Sequence, residues 1–358
     1  MTGKSLEDYA EDIYTCNRTR CGFCRDQCPV YHVKAYETYS CRGKMLVGRG
    51  LMEKTLNASA EMAQILDQCL LCGLCQARCA LNNLDIITSM RRKMVSGGFP
   101  APAHRENVQR ILAEGHLLDG RAAPERQGQI PLYVGCVYRS KPRELATALS
   151  VLERLDIHPL IGDETCCGYI VDATGFGEEF EAIQDRFKET YQQLNAPEIL
   201  TLCPTCTITL REKYGLPVRH AIVAVAEQLR QKQGAVKSLG FRATYHDPCH
   251  LGRMLGVFDD PREILRQMDI QLVEMENNRY FSTCCGGGGG VNVVDQDLSI
   301  EIAKNRVRDA IRVGVEIITT VCPTCEPTLL RASSRLAREA GTFVDVQSLW
   351  DLLDKALQ

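Results

Sequence analysis

Nineteen cysteines occur among the 358 residues of the chain, and most of them recur at short, regular intervals. Such grouping, in a chain whose start shows no basic-then-apolar export signal, indicates metal binding rather than disulfide bonding. The two groups nearest the amino end are runs of four. The first run is Cys16, Cys21, Cys24 and Cys28, followed by Pro29, and the second is Cys69, Cys72, Cys75 and Cys79, followed by Ala80.

The spacing of these runs, C-x4-C-x2-C-x3-C-P and C-x2-C-x2-C-x3-C, indicates which metal they bind. The second run has the cysteine spacing of bacterial two-cluster ferredoxins, in which the fourth cysteine binds the other cluster. Zinc is the alternative, but zinc prefers two C-x2-C pairs separated by a longer segment. The sequence departs from the ferredoxin pattern in the four residues "NRTR" after Cys16 and in Ala80, which replaces a proline. We predict two cubane [4Fe–4S] clusters, one held by Cys16, Cys21, Cys24 and Cys79 and the other by Cys69, Cys72, Cys75 and Cys28.

A second cysteine pattern, C…CCG…CPTC, occurs twice in the rest of the chain. The flanking segments also match, since "EILTLCPTC" at 198–206 answers "EIITTVCPTC" at 316–325. A repeat of this kind predicts two copies of one domain. The cysteines of the first copy are Cys136, Cys166, Cys167, Cys203 and Cys206, and those of the second are Cys249, Cys284, Cys285, Cys322 and Cys325.

Each copy therefore offers five thiols, which is more than a zinc ion or a simple cubane binds. A disulfide between adjacent cysteines would be strained. Two neighbouring thiolates instead suit a cluster in which one binds an iron and the next bridges or binds a second. The run Gly286–Gly290, directly after the second pair, would let backbone approach closely and donate N–H groups to sulfur.

Charged residues and histidines surround the first cysteine of each copy. The segment "YHDPCHLGR" places His246, Asp247, His250 and Arg253 around Cys249, and "GCVYRSK" places Arg139 and Lys141 after Cys136. Such charges suit an anionic thiol, and His246 or His250 could supply protons as thiolates leave. The alternative is that each histidine caps a helix or orients a cluster through a hydrogen bond.

The remaining cysteine between the two runs, Cys41, belongs to neither pattern. A lone cysteine is more often a small buried apolar residue than a ligand. We therefore expect Cys41 to be buried and do not predict it as a ligand.

The elements that must position these cysteines are predicted from periodicity. Segments 43–56 and 59–72 have the pattern of amphipathic helices, so the region of the four-cysteine runs is predicted to be mostly helical. In each repeat, buried strands such as "PLYVGC" and "EILTLC" alternate with helical patterns at 180–194 and 301–314, which predicts a parallel α/β sheet. Such sheets carry their chemistry at strand ends. Both CPTC prolines are expected to open the helix that follows.

The predicted fold is therefore α/β, with a helical two-cluster ferredoxin domain at 1–100, a linker at 101–129, and two repeated α/β domains at 130–235 and 236–358. A composition of 45% hydrophobic and 24% charged residues is typical of globular proteins. The net charge of −3 gives no electrostatic footprint for nucleic acid. Because no apolar stretch is long enough to span a bilayer, the expected location is the cytoplasm, with peripheral attachment to the inner face of the membrane through a partner as the alternative.

The order of these motifs, from about Cys16 to the carboxyl end, resembles the catalytic subunit of heterodisulfide reductase in its fused form. The resemblance implies that each five-cysteine set holds one noncubane [4Fe–4S] cluster. It also implies that the two noncubane clusters face each other across a disulfide-binding cavity. On this reading all ten repeat cysteines are ligands at the catalytic centre.

The resemblance implies a disulfide reductase-like oxidoreductase that acts on a small thiol or disulfide. Disulfide cleavage needs two electrons, whereas clusters pass one at a time, so the half-reduced sulfur must be captured. The amino-terminal cubanes would bring electrons to the noncubane clusters. Because no GxGxxG motif opens a strand–helix unit, the expected donor is a flavoprotein, another redox protein or a membrane cytochrome.

The alternative is an electron relay. The iron–sulfur subunits of glycolate, lactate and glycerol-3-phosphate oxidation share the same layout and pass electrons from a flavin partner towards a quinone or another acceptor. Their C…CCG…CxxC sets are often incomplete, whereas all ten cysteines are present here, which favours the reductase. A zinc scaffold without redox activity is disfavoured by the two four-cysteine runs.

Overall fold

The computed structural model describes residues 4–118, 124–191, 196–232 and 234–357. The chain divides into two compact units. The first unit consists of Met1–Ala113, Gly168–Ile183 and Thr283–Ala303, and the second consists of Glu114–Cys167, Gln184–Ser282 and Lys304–Gln358. The units are interleaved in sequence because the segment after each adjacent cysteine pair belongs to the first unit.

The amino-terminal part of the first unit is helical, as predicted. Its helices are α1 (Ala10–Thr19), α2 (Phe23–Gln27), α3 (Pro29–Lys34), α4 (Cys41–Met52), α5 (Ala60–Asp67), α6 (Asn83–Ser96) and α7 (Pro102–Glu114), with 3-10 turns at Glu7–Tyr9, Glu37–Tyr39 and Gln76–Arg78. Helix α7 falls in the predicted linker, whose residues 119–123 lie outside the described residues.

The two amphipathic helices predicted at 43–56 and 59–72 are confirmed as α4 and α5, but both end earlier. Ser40 and Ser59 cap their amino ends, because each hydroxyl accepts a hydrogen bond from the backbone N–H three residues on. Helix α5 stops at Asp67 because the cysteine-bearing segment bends through left-handed backbone at Leu71 and Gly73. The cysteines of this segment, from Cys69 to Cys79, thus lie in a loop and not in a helix.

The core of this helical region is formed by α1, α4 and α6. Ile13, Met45 and Met90 are fully buried in it. At Gly48 a Cβ atom would lie 3.2 Å from Met90 Sδ and 3.5 Å from Ile13 Cδ1, so a glycine lets the helices approach closely.

The second unit contains two four-stranded parallel sheets, which confirms the predicted α/β repeat. The first has strands β1 (Ile130–Tyr133), β2 (Pro159–Leu160), β3 (Ile199–Thr201) and β4 (Val218–His220) in the order β2-β1-β3-β4. The second has strands β5 (Arg242–Tyr245), β6 (Gln271–Leu272), β7 (Ile317–Thr320) and β8 (Asp345–Ser348) in the equivalent order β6-β5-β7-β8. All named strand pairs are parallel.

Helices follow the strands of each copy. In the first copy they are α8 (Cys136–Arg139), α9 (Pro142–Arg154), α10 (Tyr169–Ala173), α11 (Gly177–Tyr191), α12 (Pro204–Glu212) and α13 (Ala221–Gln231). In the second they are a π-helical turn at His250–Met254, α14 (Asp259–Gln267), a 3-10 turn at Arg279–Phe281, α15 (Val291–Val294), α16 (Gln296–Arg312), α17 (Cys325–Ala340) and α18 (Leu349–Ala356). The helices predicted at 180–194 and 301–314 are confirmed as α11 and α16, although residues 192–194 lie outside the described part of the chain.

The prediction that both CPTC prolines open a helix holds for Pro204 but is wrong for Pro323. Pro204 is the first residue of α12, whereas α17 begins at Cys325. The reason lies four residues on. Pro327 has no N–H to donate to the Pro323 carbonyl, and that carbonyl instead accepts a hydrogen bond of 3.2 Å from Lys141 Nζ.

One hydrophobic core joins both copies of the repeat within the second unit. The first long helix of one copy packs against the last helix of the other, since α9 contacts α18 and α14 contacts α13. Leu152, Ile264 and Trp350 are buried in this shared core. This reciprocal packing fixes the position of one copy relative to the other. Among the described residues, no helix combines the length and apolar character that crossing a membrane needs.

Candidate functional site

The structure brings together the four cysteines predicted for the first cubane. Burial raises the pKa of Cys16 to about 11, and the nearby thiols of Cys24, Cys79 and Cys21 act in the same direction. The four residues "NRTR" are accommodated because α1 continues to Thr19 and the chain then reverses through left-handed backbone at Arg20, with φ 52°. The unusual spacing after Cys16 is thus compatible with a shared site.

The cysteines predicted for the second cubane also lie together. Burial raises the pKa of Cys28 to about 12, and the thiols of Cys69 and Cys72 add to this effect. A cavity is lined by Cys28, Cys41, Lys44, Cys69, Cys72 and Cys75. All nineteen cysteines of the chain are free thiols. Several unbridged thiols around one cavity fit a thiolate-held iron–sulfur cluster.

Cys41 and Lys44 are two residues near these groups whose roles sequence analysis missed. Cys41 is buried, as expected, but its thiol is hydrogen-bonded to one cysteine of each group, Cys24 and Cys75. The bond to Cys41 is the largest cause of the lowering of the Cys24 pKa to about 7. Lys44 is 1% exposed and donates to the Tyr39 carbonyl. The available signal was their spacing of three residues, which puts both on one face of α4.

All five cysteines of the first repeat converge within the second unit. Cys136 follows β1, and its sulfur lies 4.0 Å from that of Cys166. The Cys206 thiol is hydrogen-bonded to the thiols of Cys167 and Cys203. Gly135 has φ 82°, and a Cβ there would lie 3.0 Å from Cys206 Sγ, so glycine leaves room for the sulfurs. This donor set also fits a thiolate-held cluster.

A buried carboxyl group organises the strand end beside these thiols. Glu164 is 3% exposed and accepts hydrogen bonds from the backbone N–H groups of Val134 and Gly135 at 2.9 and 2.8 Å. Burial raises the pKa of Glu164 to about 7. Arg139, whose charge was expected to suit an anionic thiol, is itself buried and donates to the Glu164 carbonyl at 2.9 Å. Glu164 was missed because only its position two residues before the cysteine pair marked it.

Two tyrosines hold the backbone of the adjacent cysteines. Tyr133 donates its hydroxyl to the Thr165 carbonyl at 2.6 Å, and Tyr214 donates to the Cys167 carbonyl at 3.0 Å. Burial, followed by the thiols of Cys167 and Cys206, raises the pKa of Tyr133 well above its usual value. The phenol therefore stays neutral and acts as a hydrogen-bond donor.

The cysteines of the second repeat are divided between the units. Cys249, Cys322 and Cys325 belong to the second unit, whereas Cys284 and Cys285 belong to the first. In the first unit, the predicted N–H contacts to sulfur are confirmed. The N–H groups of Gly286 and Gly287 lie 3.5 and 3.4 Å from the sulfurs of Cys284 and Cys285.

The glycine run also approaches backbone closely, as predicted. A Cβ at Gly288 would lie 2.8 Å from the Leu70 carbonyl oxygen, and one at Gly289 would lie 2.4 Å from that of Cys69. Gly289 has φ 61°, a conformation that other residues rarely adopt. Glycine is therefore required here for contact with the cysteine-bearing segment.

His246 and Asp247 occupy the strand end of the second repeat. His246 is 1% exposed, its Nδ1 accepts from Arg306 Nε at 3.2 Å, and its ligand atom lies within 4.8 Å of the Cys325 sulfur. The neutral ring therefore carries its proton on Nε2. Asp247 forms a buried ion pair with Arg262, with oxygen–nitrogen distances of 2.7 and 2.9 Å.

The other predicted polar residues contact backbone or the first repeat. Arg253 donates to the carbonyls of Tyr280 and Ser282. His250 Nδ1 lies 2.8 Å from the Thr205 hydroxyl, which belongs to the CPTC segment of the other copy. The structure thus places His246 beside a cysteine, whereas His250 joins the two copies.

The contacts between copies in the second unit are reciprocal. Thr205 of the first CPTC segment contacts His250, which follows Cys249, while Pro323 of the second contacts Lys141, which follows Cys136. The buried Tyr138 hydroxyl lies near the thiols of both Cys203 and Cys322, which add to the effect of burial in raising its pKa. Both CPTC segments therefore lie near Tyr138.

Comparison with known families agrees with this organisation. Residues 12–83 match the 4Fe-4S dicluster domain, and residues 130–211 and 243–329 each match the Cysteine-rich domain, CCG. These matches cover the two four-cysteine runs and both repeats.

Three of the similar proteins are redox enzymes or subunits of them. The chain is 28% identical to one subunit of dihydromethanophenazine:CoB–CoM heterodisulfide reductase from Methanosarcina acetivorans, over 95% of this chain and 93% of that protein. It is 27% identical to one subunit of fumarate reductase (CoM/CoB) from Methanothermobacter marburgensis, over 98% of this chain and 74% of that protein. It is 25% identical to EtfAB:quinone oxidoreductase of Syntrophomonas wolfei, over 99% of this chain and 60% of that protein.

Proposed function

Because this chain belongs to the family in which a 4Fe-4S dicluster domain precedes two CCG domains, and is similar to one subunit of the heterodisulfide reductase of Methanosarcina acetivorans, we propose that it is the catalytic subunit of a disulfide reductase. The chain is an iron–sulfur oxidoreductase subunit related to heterodisulfide reductase, to fumarate reductase (CoM/CoB) and to EtfAB:quinone oxidoreductase. The proposal adds the site, the reaction and the direction of electron flow.

The observation that carries the proposal is the position of Tyr138 between the thiols of the two CPTC segments. Its hydroxyl is near both Cys203 and Cys322, and the contacts of Thr205 with His250 and of Lys141 with Pro323 hold the segments from both sides. A disulfide has two sulfur atoms, each of which must be received as the bond breaks. Two adjoining cysteine-rich centres provide a place for each.

The ten repeat cysteines would hold the two noncubane clusters, which supply electron storage and sulfur binding that side chains lack. The chain itself supplies position and a proton. Glu164, Tyr133 and Tyr214 hold the backbone around Cys166 and Cys167. His246 lies beside Cys325, and its neutral ring would give the proton on Nε2 to a leaving thiolate.

Electrons would enter through the cubane held by Cys16, Cys21, Cys24 and Cys79. Cys21 is exposed, and the neighbouring Phe23 is 64% exposed, so a redox protein can reach this side of the group. Arg18 and Arg20 are exposed beside them. A flavoprotein or ferredoxin-like donor with an acidic surface would suit this region.

An electron relay is the second candidate function, and the similarity to EtfAB:quinone oxidoreductase over 99% of this chain favours it. In a relay the same clusters pass electrons between protein partners and no disulfide binds. The presence of all ten repeat cysteines supports the reductase over the relay.

The test is a spectroscopic titration of anaerobically purified protein. The oxidised protein is mixed with coenzyme M, with coenzyme B, or with an alkyl alcohol of similar size as control, and its paramagnetic signal is recorded. The reductase predicts a new signal that depends on the thiol and is absent with the alcohol. Identical spectra for all additions, together with rapid electron exchange with a reduced flavoprotein, would establish the relay instead.

A further inference from the structure

Arg91 of α6 is a buried cation that no part of the proposed reaction uses. It is 1% exposed, and its guanidinium donates hydrogen bonds to four backbone carbonyls. Nε and Nη2 reach Leu66 at 3.1 and 2.8 Å, and Nη2 also reaches Cys69 at 2.7 Å. Nη1 reaches Ala173 at 2.6 Å and Gly289 at 3.0 Å. The planar fork of arginine is needed to reach all of them.

These carbonyls belong to three segments of the first unit that contain or follow candidate ligands. Leu66 and Cys69 precede and begin the second four-cysteine run, Ala173 ends the helix after Cys167, and Gly289 follows Cys285. The backbones are in direct contact, since a Cβ at Gly175 would lie 2.6 Å from the carbonyl carbon of Arg91. Arg91 thus joins the Cys69 segment to the segments after both cysteine pairs.

The charge of Arg91 is only weakly opposed by a carboxylate. Its nearest approach to Asp67 is 3.8 Å, and its short hydrogen bonds go to neutral carbonyls. Arginine stays protonated at any pH that the protein tolerates. A buried positive charge beside Cys69 favours the reduced, more negative state of a cluster bound there, because the surroundings screen the interaction poorly.

We propose that Arg91 is a positioning residue that raises the reduction potential of the cluster held by Cys28, Cys69, Cys72 and Cys75 and fixes the loops after both CCG pairs against it. The inference rests on the proposed function for the presence of that cluster. The Arg91 charge interacts favourably with the electron added to the cluster, and its hydrogen bonds anchor three backbone segments to one side chain. Arg91 itself neither binds substrate nor carries electrons.

The test compares three variants of the full-length chain in an anaerobic potentiometric titration followed by paramagnetic resonance. Arg91→Gln removes the charge and most of the fork, Arg91→Lys keeps the charge, and Lys93→Gln removes an exposed charge from the same helix. We expect Arg91→Gln to lower the equilibrium constant for reduction of one cubane at least tenfold, about 59 mV for one electron. We expect no such shift in Lys93→Gln.

Arg91→Lys keeps the inference testable where Arg91→Gln does not fold. It should keep the potential close to that of the natural protein while lowering the thermal midpoint, because an ammonium cannot reach all four carbonyls. An Arg91→Lys potential as low as that expected for loss of the charge would overturn the inference, as would an unchanged potential in a folded, iron-loaded Arg91→Gln protein.

The same samples separate this inference from the proposed function. A shifted cubane potential without any thiol-dependent signal would support the role of Arg91 and refute disulfide reduction. A normal thiol-dependent signal with unshifted cubane potentials would support disulfide reduction and refute the role of Arg91.

Discussion

The two CCG copies share cysteine pattern and strand order, yet they differ three residues before the first cysteine. Tyr133 stands there in the first copy and His246 in the second. Tyr133 has a raised pKa and donates to the Thr165 carbonyl, so it holds backbone. His246 instead accepts from Arg306 and faces Cys325 with a group that can exchange a proton.

The buried carboxyl groups also distinguish the two copies. Glu164 of the first copy accepts from two backbone N–H groups, and burial raises its pKa to about 7 although the Arg139 guanidinium lies 4.0 Å away. Asp247 of the second copy is paired at 2.7 Å with the guanidinium of Arg262. The first centre is therefore held mainly by neutral hydrogen bonds, whereas the second is surrounded by paired charges and a histidine. We infer that proton exchange belongs to the second copy.

The largest expected effect comes from removing one cysteine of each adjacent pair. Cys167→Ser and Cys285→Ser should each reduce the iron content from about sixteen to about twelve atoms per chain, because each breaks one four-iron centre. Iron analysis of anaerobically purified protein measures this. Cys41→Ser, which makes the same replacement outside the predicted ligand sets, should keep all the iron. Full iron content in Cys167→Ser or Cys285→Ser would contradict the assignment of that copy.

The next effect tests the two carboxyl groups. Asp247→Asn removes one of the two carboxylates paired with the buried Arg262 guanidinium and leaves Glu274, 2.6 Å from Nε, as the other. It should lower the free energy of unfolding by about 3 kcal/mol, the lower end of what breaking a buried ion pair costs. Glu164→Gln keeps one acceptor oxygen and should cost about 1–3 kcal/mol. Urea unfolding provides both values. Asp260→Asn, which breaks a pair with the exposed Arg230, is the control and should cost below about 1 kcal/mol. Equal losses in Asp247→Asn and Glu164→Gln would remove the contrast between the copies.

The third prediction concerns the residues at the strand ends. His246→Gln should lower the rate of disulfide reduction roughly 10- to 100-fold, because the proton donor beside Cys325 is lost. Tyr133→Phe should cost about 1 kcal/mol of stability through the lost hydrogen bond and slow the reaction less than His246→Gln does. Steady-state rates with a thiol-product assay decide between them. A larger rate loss in Tyr133→Phe would place proton exchange in the first copy.

The smallest expected effect is a difference in acid sensitivity between equivalent helix caps. His220 caps α13 and Ser348 caps α18, and each side chain accepts an N–H from two residues on. The neutral His220 ring also donates Nε2–H to the Leu202 carbonyl at 2.9 Å, and burial lowers its pKa from 6.5 to about 4. Between these pH values only the unfolded chain takes up the proton, so folding stability falls as pH drops from 6.5 towards 4.

His220→Ser should therefore be less stable than the natural protein at pH 7.5, but the difference should shrink at pH 5. The limit of this pH-dependent part is about 3 kcal/mol. Ser348→Ala should cost about 1 kcal/mol at both pH values, since its cap does not titrate. Urea unfolding at the two pH values measures this. A His220→Ser difference that is the same at pH 7.5 and pH 5 would show that the buried ring does not control acid sensitivity.

Much of the fold was predictable because it depends on local patterns. Periodicity identified α4, α5, α11 and α16, and the repeat identified the two parallel sheets. The error at Pro323 had a local cause, Pro327. This second proline is visible in the sequence, because "CPTCEPTL" has a proline where "CPTCTITL" has an isoleucine. The early ends of α4 and α5 were not predictable, because helix ends depend on caps and on the loop that must follow.

The sequence by itself determined which chemistry the chain can hold, because ligand type and spacing are local properties of eighteen cysteines. Only the tertiary structure showed that Cys41 touches both amino-terminal groups, that Glu164 closes on a strand end, and that Arg91 gathers four carbonyls. Sequence spacing does not identify their partners, since those of Arg91, for example, lie 22 to 198 positions away in sequence. Burial and charge at a site arise from such distant contacts, and they are fixed only when the chain has folded.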